Sequence, residues 1–324
     1  LSLGARFRKV KSFLEGHGIE GITIHPRPWA NDPRFYYLVN PLHDSDGHGG
    51  YARAHRFDED GVPFVPRGSE RYYNPLVVAR YALKMLAISA DRERPEAAEI
   101  ARKMLAPLVA AGEATGAWGP GPRPEQMSHE TPSCLTQGVV LSAIIRLAGS
   151  DPDERTRAMI ERGAERLLAP MEHGGARSSL SGGDFLEEFP RVPPSHVLNG
   201  CVYGLFGLYD LADGFGHAQA AEAATLIEST LERTIERFVT RFGWSRYALN
   251  VYSHAPLASI HYHRYHIVMT RVLAARTGSA ALAEVADRWE RSLAAFGPRL
   301  ASGAIKSAQV LWMRGIRRLP LHEG

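Results

Sequence analysis

Two adjacent carboxylates, Glu187 and Glu188, with Asp184 just upstream, are the residues whose type and spacing best suit acid–base chemistry. They sit in G-D-F-L-E-E-F-P-R-V-P-P-S-H-V-L-N-G, where Pro190, Pro193 and Pro194 keep the chain out of helix until about Ser195. Acids at a helix mouth complement its dipole. The helix that follows is too apolar for a surface helix, which makes this stretch a pocket wall. For acid–base work one carboxyl would need burial to raise its pKa. Neighbours on extended backbone point opposite ways, so at most one of the pair faces a given pocket. Capping and acid–base chemistry both stand on these residues alone.

A second group is His261-Tyr262-His263-Arg264-Tyr265-His266. His263 and His266 share a helical face, a metal-like spacing, but no carboxylate or thiol lies at a matching position. Flat rings with hydrogen-bonding edges fit a sugar-sized pocket better. A third group, Asp44-Ser45-Asp46-Gly47, opens like a calcium loop but lacks the later glutamate. Calcium at Asp44 and Asp46 is the only cofactor with any support, and otherwise none is expected. Tyr72, Tyr73, Trp118, Trp244, Tyr247 and Tyr252 stand near loops or helix starts, where saccharide stacking and core filling compete as explanations. There is no G-x-S-x-G, P-loop, dinucleotide fingerprint or H-E-x-x-H in the sequence, so serine hydrolase, nucleotide-binding and zincin chemistries fall away.

The elements that must position these residues are mostly helical. Residues 1–17 carry an amphipathic pattern, and 20–70 turn irregular, with strand-like Ile22–Ile24 and Phe35–Val39. From Asn74 the apolar spacing is helical, with Pro75 at a first turn where its missing N–H costs nothing. Helices are predicted from there and at about 95–111, 133–149, 154–169, 195–213, 217–241, 263–276 and 279–296. The expected fold is mainly α: an (α/α) helical-hairpin barrel or toroid over 73–324, preceded by a small, partly β segment over 1–72. Helices 133–149 and 195–213 are apolar on most faces and suit an inner ring, while 217–241 suits the outside. Loops 113–132 and 170–194 are long enough to build a site at the mouth of such a ring.

At 324 residues the chain can bury a sizeable core. A net charge of +3 gives no argument for nucleic acid, and Arg6-Arg8-Lys9-Lys11 and Arg314-Arg317-Arg318 read as solvated helix faces. No apolar run reaches the roughly 18 residues that a membrane span needs. Cys134 and Cys201 lie in apolar helices and read as buried thiols. The chain opens on Leu1, which leads us to expect that a leader or upstream domain has been removed; the compartment stays open.

The central stretch, E-E-F-P-R-V-P-P-S-H-V-L-N-G-C-V-Y-G-L-F-G-L-Y-D-L, resembles a signature of the D-glucuronyl C5-epimerase C-terminal domain, from the enzymes of heparosan and heparan sulfate maturation. Further blocks match in order: Asp60-Gly61-Val62-Pro63, Tyr73-Asn74-Pro75 with Ala79-Arg80-Tyr81-Ala82-Leu83, Thr136-Gln137-Gly138 with Leu141-Ser142 and Arg146, Tyr262-His263 with His266-Ile267, and Asp287-Arg288-Trp289-Glu290. The resemblance covers about residues 58–295. It implies a helical barrel acting on an anionic uronate-containing glycan, inverting D-glucuronate to L-iduronate through loss and return of the C5 proton. Carried over onto this sequence, it makes Glu188, Tyr247 and Tyr262 the catalytic residues. Glu187, Arg177, Tyr73, Gln137, Asn199, His263, His266 and Trp118 are the expected substrate-binding set. Phe189 stands where the family carries a tyrosine, and a phenyl ring exchanges no proton. That leaves three outcomes: Glu188 or Tyr247 fills the role, the protein eliminates as a uronate lyase, or it only binds glycan; a uronate-acting hydrolase on the same scaffold stands beside the lyase as an alternative. The family's separate β-rich domain is largely missing, which leaves the cleft more open or shaped by a second subunit, as in a homodimer.

Overall fold

The computed structural model describes residues 23–24, 34–39, 56–91, 94–119, 131–250 and 256–316. The predicted helix over 1–17 and the Asp44–Asp46 turn lie outside these. The described chain is mainly helical with a few short strands. It groups into two compact units, one from Gly21–Pro194 with Gly200–Thr230, the other from Ser195–Asn199 with Leu231–Gly324.

The first unit begins with β1 (Thr23–Ile24) paired antiparallel to β2 (Leu38–Val39). Next comes a three-stranded antiparallel sheet of β3 (Arg56–Phe57), β4 (Pro63–Arg67) and β5 (Glu70–Tyr72). Its helices are α1 (Pro75–Asp91), α2 (Pro95–Arg102), α3 (Leu105–Gly112), α4 (Cys134–Ala148) and α5 (Glu154–Leu168). The helix expected over 95–111 is broken between α2 and α3. Pro107 explains this, because it cannot donate to the carbonyl of residue 103 and its ring crowds that carbonyl. Asp153 caps α5, its carboxylate accepting the Thr156 N–H at 2.7 Å. On α5 only Thr156, Met159, Ile160, Gly163, Ala164 and Leu167 are buried, the stripe of an outer helix. On α4 every residue from Cys134 to Arg146 is buried.

α4 packs against α6 (Leu198–Phe215) with almost no side chain between them. A Cβ on Gly138 would stand 2.3 Å from the Tyr203 carbonyl oxygen, and one on Gly207 would stand 2.5 Å from the Gly138 Cα. The two apolar helices picked out in the sequence therefore touch through backbone, which only glycine permits. Deeper in the pair, Arg146 on α4 and Asp210 on α6 form a wholly buried ion pair, Nε to Oδ2 at 2.8 Å and Nη2 to Oδ1 at 2.7 Å. Tyr37 donates its hydroxyl to Asp210 Oδ1 at 3.0 Å, and Arg146 Nη1 donates to the Phe35 carbonyl at 2.7 Å, which locks the segment before β2 onto both helices. Cys134 and Cys201 are free, buried thiols.

The loop expected over 170–194 contains a β-hairpin, β6 (Arg177–Leu180) with β7 (Gly183–Leu186). Ser181 and Gly182 both have positive φ, 54° and 78°, which is the two-residue turn that matches strand twist. With so few apolar residues, R-S-S-L-S-G-G-D-F-L shows no clean alternation, and the hairpin escapes a periodicity reading. α6 starts at Leu198 instead of near Ser195, since His196 adopts a left-handed φ of 51° that no helix accommodates. α7 (Ala218–Thr234) ends in a 3₁₀ turn over Ile235–Phe238.

The second unit is built from α8 (Ile260–Thr277), α9 (Ala280–Ala294) and α10 (Phe296–Ile316), with the irregular segment 239–250. Ser259 and Ser279 cap α8 and α9 by accepting the N–H of Tyr262 and of Leu282. No described helix is long and apolar enough to cross a membrane.

Candidate active site

In the first unit the site stretch leaves β7 and runs Glu187-Glu188-Phe189 toward the loop before α6. The adjacent acids diverge. Glu187 is fully buried: Ser178 on β6 donates its hydroxyl to Glu187 Oε1 at 2.8 Å. Its backbone is also tied, accepting from Cys134 N at 3.1 Å and donating to the Ala176 carbonyl at 2.8 Å. Glu187 thus pins the hairpin to the start of α4. Glu188 is half-buried and lies along the first turn of α6. A Cβ on Gly200 would meet Glu188 Cβ at 2.5 Å and Oε2 at 2.8 Å, so the carboxylate rests on bare backbone. Peptide dipoles at a helix start favour negative charge there. Phe189 follows, with the Arg191 guanidinium 5.5 Å above its ring. Arg177 on β6 donates to Asp184 on β7 at 3.3 Å, and both stay partly exposed.

Other residues expected to touch substrate are enclosed. Gln137 accepts from the Trp118 backbone N–H at 2.8 Å and donates to the carbonyls of Gly116 at 2.8 Å and Gly163 at 2.9 Å, which uses its whole amide. Trp118 is buried and donates its indole N–H to the Leu108 carbonyl at 3.1 Å. Together they bracket the chain leaving α3 against α4 and α5. Gln137 and Trp118 were expected in the substrate-binding set; their polar groups bond to the protein's own backbone. Tyr73 donates to Asp58 Oδ2 at 2.8 Å; desolvation first, then that carboxylate, raises its pKa.

In the second unit Tyr247 and Tyr262 meet edge to face, with ring centroids 4.7 Å apart. Tyr262 sits in the first turn of α8 and is 37% exposed, whereas Tyr247 is 8% exposed. The Tyr247 carbonyl accepts from Leu198 N at 3.1 Å, so its backbone is fixed by the start of α6, where Asn199 is buried. Beneath the pair, His263 and His266 are completely buried. His263 stacks on Trp244 with centroids 3.8 Å apart, and its two nitrogens reach Ser245 on one side and Trp289 on the other. Burial pushes the pKa of both imidazoles down to about 3, so both are neutral. Both histidines, expected in the substrate-binding set, are enclosed: His263 stacks on Trp244, and the His266 ring lies 6.0 Å from that of Trp289. Asp44, Asp46 and Tyr252 lie outside the described residues.

Sequence reasoning passed over Ser178, Ser245 and Gly200 as site parts. A serine or glycine carries no local signal of function.

The first unit thus presents a half-buried acid at a helix start, and the second a phenol pair of which Tyr262 is exposed. Residues 125–291 match the family model described as D-glucuronyl C5-epimerase C-terminus, and the chain belongs to this family. Over 172 residues it is 27% identical to the D-glucuronyl C5-epimerase of Caenorhabditis elegans, a match covering 48% of this chain and 28% of that protein. The chain therefore spans well under half the length of that relative.

Proposed function

We propose that this protein is a carbohydrate epimerase that inverts C5 of glucuronate residues in an anionic polysaccharide of the heparosan or heparan sulfate type. The observation that carries this reading is that the family match, residues 125–291, contains Glu188, Tyr247 and Tyr262. The C5–H bond lies α to a carboxylate. Breaking it sends the proton to a protein base and leaves an enolate-like centre, which an acid then reprotonates on the opposite face. Glu188 and the phenols of Tyr247 and Tyr262 are the groups to which we assign these transfers. Phe189 contributes no phenol, so the tyrosines of the second unit carry more of the task than a tyrosine beside Glu188 would require. Arg177 and Tyr73 are partly exposed and lead the proposed substrate-binding set, whose other members, Glu187, Gln137, Trp118, Asn199, His263 and His266, are buried.

The test is incubation with heparosan-type oligosaccharide in heavy water. Deuterium at C5 in a chain of unchanged length, with iduronate in the product, is the expected result. A new ultraviolet-absorbing double bond with chain shortening would make the protein a lyase. Binding with neither change would make it a glycan-binding protein.

A further inference from the structure

The backbones that carry the Tyr247–Tyr262 contact are joined through the imidazole of His263. Ser245, two residues before Tyr247, donates its backbone N–H to His263 Nδ1 at 3.1 Å. An amide N–H only donates, so Nδ1 carries the lone pair and the ring proton is on Nε2. Nε2 lies 3.0 Å from the Trp289 carbonyl, which only accepts, and the two ends of the ring thus require the same tautomer. Ser292 Oγ, 3.1 Å from Nε2, itself donates to the Trp289 carbonyl at 2.8 Å. The remaining polar atoms of Ser245 are also engaged: its carbonyl accepts from Ala258 N at 3.0 Å, and its hydroxyl lies 2.9 Å from both His263 Nδ1 and His266 Nδ1. The Trp244 ring, stacked on His263, donates its own N–H to the Ala258 carbonyl at 3.0 Å.

His263 directly follows Tyr262 in the first turn of α8, so this bonding fixes both backbones that carry the phenols. We infer that His263 is a positioning residue for the Tyr247–Tyr262 pair, acting through the Ser245 N–H on its Nδ1 side, with the Trp289 side serving only to anchor the ring. This inference rests on the reading of the tyrosines as proton-transfer groups. The two sides of the ring are separable, because asparagine places an acceptor near the Nδ1 position and glutamine a donor near the Nε2 position.

The experiment uses full-length His263→Asn and His263→Gln, each with 3-fluorotyrosine introduced singly at position 247 or 262. Fluorine NMR reports ring environment whether or not the protein turns over any glycan, so failure of the epimerase reading leaves this measurement intact. The expected result is that H263N keeps both resonances near their wild-type shifts and its exchange kcat within about threefold. H263Q should shift or broaden the residue 247 signal and lower kcat about tenfold or more with KM nearly unchanged, since reacting groups tolerate little displacement. Equal effects in the two variants, or wild-type spectra in both, would overturn the inference. Should H263Q not fold, His263→Leu replaces it, since that variant removes the Nδ1 acceptor of the Ser245 N–H; an unshifted residue 247 signal there would equally overturn it.

Discussion

Glu188 lies against Gly200 so closely that the glycine's missing Cβ would fall 2.5 Å from Glu188 Cβ and 2.8 Å from Oε2. The site stretch and the helix it leads into are therefore not merely consecutive. The helix start is cut away to receive the carboxylate.

Gly200→Ala tests this directly. The added methyl must push Glu188 by the better part of an ångström, and the clash with Glu188 Cβ is one a flexible side-chain tip cannot relieve. We expect kcat for C5 exchange to fall by about 10- to 100-fold with a smaller change in KM. The overpacking should cost about 1–3 kcal/mol in urea unfolding. Unchanged exchange kinetics would remove Glu188 from the reaction.

Tyr247→Phe and Tyr262→Phe each delete a phenol while leaving the ring contact. If the phenols transfer the proton, each variant loses about 100-fold or more of C5 deuterium incorporation, the usual scale of a general acid or base. The melting temperature should stay within a few degrees of wild type. Exchange that survives both substitutions would refute the assignment.

Arg146→Ala leaves Asp210 as a buried carboxylate with its guanidinium partner gone. The expected destabilisation is about 3–5 kcal/mol, the range for breaking a buried ion pair from one side. The Arg146→Met, Asp210→Leu double variant, which removes both charges, should recover much of that loss. Urea denaturation of the three proteins measures the difference.

His263 and His266 tie stability to pH. Both have pKa values of about 3 in the folded protein, below the ordinary value near 6.5 of an unfolded chain. Unfolding therefore takes up protons below about pH 6.5. Their contribution is full above that value and is lost as pH falls toward 3. Each histidine should remove about 1 kcal/mol of unfolding free energy between pH 7 and 5.5. Comparison of wild type with His266→Leu isolates one of them: the variant should show a shallower loss over that interval. Parallel curves would show that His266 stays exposed to water.

Much of the helical framework was legible from apolar spacing and punctuation. Pro75 starts α1, and the two all-apolar segments became the buried helices α4 and α6. Composition also placed the cysteines as buried thiols. Local sequence decides such features because helix periodicity, caps and prolines act within a few residues. It decided, too, that Glu187 and Glu188 would diverge, since extended neighbours alternate sides.

Tertiary structure decided which of them does what. Ser178 and the backbone of α4 hold Glu187 inside, and Gly200 receives Glu188. The Ser181-Gly182 hairpin depends on positive φ at both turn residues, and its short polar strands gave no periodic signal. Gln137, Trp118, His263 and His266 carry groups that suit a ligand as well as they suit a core. Only the long-range partners, Gly116 and Gly163 for the glutamine and Ser245 and Trp289 for His263, assign them to framing. A residue's chemistry is written in its side chain, but whether that chemistry is spent inside the protein or offered to a substrate depends on what the fold places around it.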